Sequence, residues 1–124
     1  MLQSVKVEGR KDMGKALRIL HVDDDDDWLR RVGRDLEDAG HEVYSCVSMA
    51  DAYFAYDRHG PFDIVICDGN VDSPNSGDGL AWAQLLREKG QKVVTFFSSI
   101  DGIEGIPHLN KGKYSPQALL DLVR

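Results

Sequence analysis

The stretch Phe62-Asp63-Ile64-Val65-Ile66-Cys67-Asp68-Gly69-Asn70 joins an apolar run of strand length to a carboxylate and a turn. A second apolar run, Leu17-Arg18-Ile19-Leu20-His21-Val22, also ends in acids, Asp23 to Asp27. Parallel strands share a carboxyl edge, where ligands bind in open α/β sheets. Carboxylates gathered there repel one another unless a cation joins them, and hard oxygen ligands suit Mg²⁺. The sequence therefore predicts a Mg²⁺-dependent site with Asp68 as ligand or nucleophile.

Strand-like and helix-like segments alternate along the chain from Ala16, with short loops between them. This alternation predicts an α/β fold with a doubly wound parallel sheet and right-handed crossovers. Residues 1–15 are predicted to be a mobile N-terminal tail, and residues 16–124 to form one domain. The predicted strands are 17–22, 42–47, 64–67, 92–97 and 106–110, and the predicted helices are 26–39, 48–59, 78–88 and 116–124.

Composition restricts the classes of partner and the location. The chain has 124 residues, is 42% hydrophobic and carries a formal net charge of −6, which argues against direct nucleic-acid binding. No apolar run reaches about 18 residues, so no membrane span is expected, and the first residues lack the pattern of a signal peptide. Cys46 and Cys67 lie in strand-like runs without metal-site spacing and are expected to be reduced thiols. We therefore expect a cytoplasmic protein.

Several motifs, taken in order along the chain, resemble the receiver domain of bacterial two-component response regulators. Asp68 follows Asp23 by 45 residues and Ser98 follows Asp68 by 30, and both intervals are usual in that family. The resemblance covers the chain from about Ala16 to the end. It implies a flavodoxin-like five-stranded parallel sheet of order 2-1-3-4-5. The matching positions are Asp23 and Asp24 after the first strand, Asp68 after the third, Asp78-Gly79 at the third helix, Ser98 after the fourth strand and Lys111 after the fifth.

The resemblance implies that Asp68 is the phospho-acceptor, attacking a phosphohistidine donor with Mg²⁺ as cofactor. The implied metal ligands are the side chains of Asp24 and Asp68, Asp23 acting mostly through water, and the backbone carbonyl of Asn70. Asp25 is an alternative further ligand, although an aspartate at a helix start also serves as a cap.

The resemblance also implies a lysine and two switch residues. Lys111 would supply positive charge to the phosphoryl oxygens, and Ser98 would move to hydrogen-bond the phosphate. His108 occupies the place of an aromatic residue that, in the family, packs differently in the unphosphorylated and phosphorylated states. Lys113 is the alternative catalytic lysine, but Lys111 is preferred because it directly follows the apolar strand.

The segment between Ser98 and Lys111 is short for this family, which places a full helix there. Only residues 99–105 remain once the fifth strand is assigned, and a parallel crossover normally takes about 10–12 residues or more. Helix 4 of the family is therefore predicted to be shortened or missing. The loop of residues 69–77 is longer than usual, and it either covers part of the site or is simply solvated.

Three functions are compatible with these residues. The first is a stand-alone phosphorylation-controlled switch, not an enzyme in the usual sense, although it would catalyse its own phosphorylation and dephosphorylation. Its partners would be a histidine kinase or histidine phosphotransfer protein in a phosphorelay, and a downstream protein target. The second is a receiver-like interaction module that is not phosphorylated. The third is a hydrolase, which would need a second acid at the position where the chain has Asn70. A calcium-binding loop that starts at Asp68 is excluded, because the stretch lacks the required Gly and Glu.

Overall fold

The computed structural model describes residues 15–98 and 102–124. Five parallel strands form one sheet in the order β2-β1-β3-β4-β5, which confirms the predicted α/β class and strand order. Most of the predicted mobile tail, residues 1–14, lies outside the described residues. The strands are β1 Arg18–Val22, β2 Glu42–Cys46, β3 Ile64–Cys67, β4 Val93–Phe97 and β5 His108–Asn110, and the helices are α1 Asp26–Asp38, α2 Met49–His59, α3 Asp78–Glu88 and α4 Pro116–Val123.

Local side-chain caps fix where three of the helices begin. Asp25 caps α1 by accepting from the Asp27 backbone N–H at 2.9 Å, and Ser48 caps α2 in the same way. Ser115 accepts from the Ala118 N–H at 3.0 Å, and Pro116 stands at the first position of α4. Each cap satisfies a backbone donor that has no partner within the helix. These starts agree with the predicted boundaries to within one or two residues.

Two apolar layers cover the sheet. Helices α1 and α4 pack on one face, over a cluster that includes Ile66 and Phe96. Helices α2 and α3 pack on the other, over a cluster that includes Val65 and Trp82. β3 is buried along its whole length, as a central strand covered on both faces must be. This arrangement brings the carboxyl ends of β1 and β3 side by side at one edge.

The connection between β4 and β5 contains no helix among its described residues, 98 and 102–107. This agrees with the prediction that the helix which the family places between these two strands is shortened or missing. Ile106 is buried and Ile103 packs against the same cluster as α2 and α3. Arg87 of α3 donates to the carbonyl of Glu104 at 3.4 Å and holds the turn. The connection therefore covers part of the face that a helix would cover.

The boundaries predicted for the fifth strand are partly wrong. β5 begins at His108, not at Ile106, because Ile106 closes a turn by donating its N–H to the carbonyl of Ile103 at 3.0 Å. The side chain of Ile106 is buried by that turn rather than by strand pairing. None of the helices in the described part of the chain is long and apolar enough to cross a membrane.

Candidate functional site

Three carboxylates converge at the carboxyl edge of the sheet. Asp68 follows β3, and its N–H donates to the carbonyl of Val22 in β1 at 3.0 Å, which places it beside Asp23. Asp23, Asp24 and Asp68 can each place one oxygen within 4.8 Å of the others. Asp23 is fully buried and Asp68 is 7% exposed, whereas Asp24 faces solvent. Three hard oxygen donors of this kind fit a small divalent cation such as Mg²⁺.

Lys111 reaches into this acidic cluster from the end of β5. Its Nζ lies 2.7 Å from Asp23 Oδ2 and 3.6 Å from Asp68 Oδ1, and its side chain is 13% exposed. The turn that carries it is a short 3-10 helix, Lys111–Lys113, which begins with the side chain of Asn110 accepting from the Gly112 N–H at 2.7 Å. Lys113 lies at the exposed end of that turn. Of the two candidate lysines, Lys111 is therefore the one placed against the acids.

Burial and mutual repulsion control the ionisation of the acids. Burial raises the pKa of Asp68 to about 7, and the charge of Asp23 adds to that shift, while Lys111 and the Gly69 N–H oppose it. Burial also raises the pKa of Asp23, and its ion pair with Lys111 opposes this. The site therefore holds more negative charge than one lysine compensates, which is the condition that favours binding of a cation.

Asp68→Asn should stabilise the cation-free protein above pH 7. Folding raises the pKa of Asp68 from 3.8 to about 7, so the folded state keeps a proton that the unfolded state releases as the pH rises through this window. The contribution of Asp68 to wild-type stability then falls between about pH 4 and pH 7, and the Asn variant does not show this loss. We expect the advantage of Asp68→Asn to grow across the window to roughly 4 kcal/mol.

Urea unfolding in EDTA at a series of pH values measures this advantage. Asp57→Asn, at an exposed position of α2, is the matched control for the loss of one carboxylate. A constant difference between wild type and Asp68→Asn from pH 4 to pH 8 would contradict the raised pKa.

The Asp78-Gly79 pair holds the loop that follows Asp68. Asp78 accepts from the N–H groups of Val71 at 2.7 Å and Asp72 at 3.0 Å. Gly79 donates to the carbonyl of Gly69 at 3.1 Å. A Cβ on Gly79 would lie 1.7 Å from the carbonyl oxygen of Asp68, so only glycine lets α3 approach Asp68 this closely.

The long loop of residues 69–77 is anchored at both sides. Asp72 accepts from the N–H of Met49, the first residue of α2, at 2.9 Å. Asn70, two residues beyond Asp68, accepts from the Gly77 N–H through its side-chain oxygen at 2.6 Å. These bonds connect the loop to the starts of α2 and α3, next to the acidic cluster.

The two predicted switch residues lie on neighbouring strands. Ser98 directly follows β4 and is exposed, and His108 lies half-buried in β5. His108 Nδ1 lies 2.9 Å from the hydroxyl of Thr95, and its ring packs on Phe97 at a centroid distance of 4.4 Å. The Phe97 ring also lies close to Gly69, because a Cβ added to Gly69 would be 3.2 Å from that ring. The hydroxyl bonded to His108 is therefore that of Thr95, which sequence reasoning did not single out.

Sequence reasoning also missed the rings beside Lys111. Its ammonium lies over the rings of Trp28 and Phe96, and the Tyr114 ring packs against both of them. Trp28 falls within the predicted helix 26–39 and Phe96 within the predicted strand 92–97. No local pattern marks them, because Trp28 is 83 residues from Lys111 along the chain.

Solved structures of response regulator receiver domains are similar to this chain. A receiver protein from Sinorhizobium medicae is 25% identical, with a TM-score of 0.73 over 88% of this chain and 92% of that one. The chemotaxis response regulator CheY4 of Vibrio cholerae is 21% identical, with a TM-score of 0.71 over 86% and 95%. The BeF3-activated receiver domain of DrrB is 24% identical, with a TM-score of 0.70 over 88% and 95%.

Neither a protein-family model nor a curated protein sequence matches the chain. The similarity to these solved structures nevertheless spans most of it, and the strand order is the same as the resemblance implied. The chain has the fold of CheY-like response regulator receiver domains.

Proposed function

We propose that this chain, with its receiver-domain fold, is a phosphorylation-controlled signalling switch whose acceptor is Asp68. The observation that carries the proposal is the convergence of three carboxylates and the ammonium of Lys111 at the carboxyl edge of the sheet. A carboxylate oxygen of Asp68 attacks the phosphorus of a phosphohistidine donor. A P–O bond forms as the P–N bond breaks, and the imidazole leaves with the electron pair.

The neighbouring residues handle charge during this transfer. Lys111 already lies 3.6 Å from Asp68 Oδ1, so it is close enough to stabilise the negative charge that develops on the phosphoryl oxygens. Asp23, Asp24 and Asp68, with the backbone carbonyl of Asn70, would hold the cation. When bound, Mg²⁺ supplies positive charge that offsets the negative charge of the transferring group. Ser98, at the end of β4, is the hydroxyl proposed to bond the phosphoryl group after transfer.

The partners follow from this chemistry. The donor would be a histidine kinase or a histidine phosphotransfer protein, and the phosphorylated form would bind a downstream protein in the cytoplasm. The chain would act on itself, as an acceptor that catalyses its own phosphorylation and dephosphorylation, rather than on a released substrate. The chain would then work in a two-component system or phosphorelay.

Intact-protein mass after incubation with Mg²⁺ and acetyl phosphate tests the proposal. We expect one phosphoryl adduct on the wild-type chain, none on Asp68→Asn and none in EDTA. Asp57→Asn, in α2, should gain the adduct as wild type does. An adduct that persists on Asp68→Asn would place the acceptor elsewhere.

A second candidate is a receiver-like interaction module that is not phosphorylated. The helix-free described part of the β4–β5 connection favours it, because a switch without this helix must transmit its state by other contacts. Binding of beryllofluoride with Mg²⁺ separates the two candidates. The phosphorylation switch predicts binding that Asp68→Asn abolishes, whereas the interaction module predicts no binding and no adduct.

A further inference from the structure

Three aromatic rings meet beside the acidic cluster, on the face of the sheet covered by α1 and α4. Trp28 comes from α1, Phe96 from β4, and Tyr114 from the segment between the 3-10 helix and α4. The Trp28 ring lies edge-on to Phe96 at a centroid distance of 5.0 Å and to Tyr114 at 5.3 Å, and Phe96 and Tyr114 are 5.7 Å apart. Each ring contacts the other two, so the three form one packed unit.

This unit forms one wall around the ammonium of Lys111. The Nζ lies 5.4 Å from the Phe96 centroid and 5.7 Å from the Trp28 centroid. The same atom lies 2.7 Å from Asp23 Oδ2. The cation is therefore held between aromatic faces on one side and carboxylates on the other, and both attract it. A lysine has a flexible four-carbon stem, and such a wall reduces the positions that its amine can occupy.

Two outer contacts fix the rings to α1. The guanidinium of Arg31 lies 5.1 Å from the Trp28 centroid and 4.8 Å from the Tyr114 centroid. The hydroxyl of Tyr114 donates to Asp35 Oδ2. The wall around Lys111 is thus connected to α1 at two points besides Trp28 itself. The contact of Trp28 in α1 with Phe96 in β4 sets the part of the wall nearest the lysine, and Tyr114 joins that part to the turn that carries Lys111.

We infer that Trp28, supported by Phe96, is a positioning residue that sets the place of the Lys111 ammonium relative to Asp23 and Asp68. This role rests on the proposed phosphoryl transfer, because it acts on that reaction only through Lys111. A wall of this kind keeps the charge close to the acceptor oxygen, where the transferring group would develop negative charge. A leucine at position 28 would fill much of the same space but would lack the ring face that attracts the cation.

A double-mutant cycle on the rate of adduct formation with acetyl phosphate tests the role of Trp28. We expect Trp28→Leu to slow the reaction about tenfold in the wild-type background and less than about twofold in a Lys111→Met background. Trp28→Phe, which keeps a ring face, should restore the rate to within about threefold of wild type. Equal slowing by Trp28→Leu in both backgrounds would mean that the ring only stabilises the fold, and would overturn the inference.

Tyr53→Leu is the matched control, because Tyr53 is a half-exposed ring on α2, on the opposite face of the sheet. It should leave the rate unchanged. A comparable slowing by this variant would also overturn the inference, since loss of any ring would then be sufficient.

A second measurement does not depend on phosphorylation. The indole N–H resonance of Trp28, assigned with Trp28→Phe, should shift in Lys111→Met and stay in place in Lys113→Met. A shift without any adduct on the wild-type chain would keep the contact but refute the proposed function. An adduct on wild type without the indole shift would keep the function but refute the positioning role.

Discussion

Gly79→Ala should lower the free energy of unfolding by about 3 kcal/mol or more and disturb the site around Asp68. The added Cβ would lie 1.7 Å from the carbonyl oxygen of Asp68 and 2.9 Å from its carbonyl carbon. These are backbone atoms at the end of a buried strand, so no side chain can rotate to relieve the overlap. The start of α3 or the end of β3 has to move, and both elements belong to the site.

Gly33→Ala is the matched control for this substitution. Gly33 is also a buried helical glycine, but an added Cβ would meet only the hydroxyl of Ser45, at an ordinary 3.8 Å. Alanine there should be neutral or stabilise the protein by up to about 1 kcal/mol, because alanine is the better helix former. Urea unfolding of the two variants measures the difference. If Gly79→Ala unfolds within about 1 kcal/mol of wild type, the close approach of α3 to Asp68 is wrong.

Lys111→Met should have the second large effect, with opposite signs for two properties of the site. Phosphoryl transfer from acetyl phosphate should slow about 100-fold, the usual loss when one preorganised positive or donor group is removed from a transition state. Binding of Mg²⁺ should become tighter, because the ammonium that lies 2.7 Å from Asp23 Oδ2 no longer repels the ion. Methionine keeps the length of the apolar stem against Trp28 and Phe96, so packing is largely preserved.

Adduct formation measured by intact mass and Mg²⁺ affinity measured by calorimetry follow the two properties. Lys113→Met removes a charge from the exposed end of the same turn and should change each property by less than about twofold, as expected for a screened surface charge. If Lys113→Met slows transfer and Lys111→Met does not, the sequence alternative that made Lys113 the catalytic lysine is correct.

The strands and helices could be predicted because their signals are local. The continuous apolar run of β3 by itself indicates a strand that is covered on both faces. The Asp and Ser caps of α1, α2 and α4 act within three residues of the backbone groups that they satisfy. The fifth strand was assigned less accurately, since the apolar side chain of Ile106 is equally well buried by a turn. Hydrophobicity indicates that a residue is buried but does not show whether it lies in a strand or in a turn.

The acidic half of the site could also be predicted. Each acid directly follows an apolar strand, and parallel strands bring their ends to a common edge, so Asp23 and Asp68 meet whatever the details of packing. The amount of charge gathered there, and hence the raised pKa of Asp68, required the burial that only the folded chain shows.

The cationic half depended on tertiary structure. The pairing of Phe97 with Asn110 and the 3-10 turn after it place Lys111 rather than Lys113 against the acids. The contact between Thr95 and His108 arises because the two residues are register partners in β4 and β5. Composition and spacing specify elements and the edge at which they end, because those signals act over a few residues. Which lysine reaches that edge, and which rings surround it, depends on strand register and helix packing, which join residues far apart in the chain.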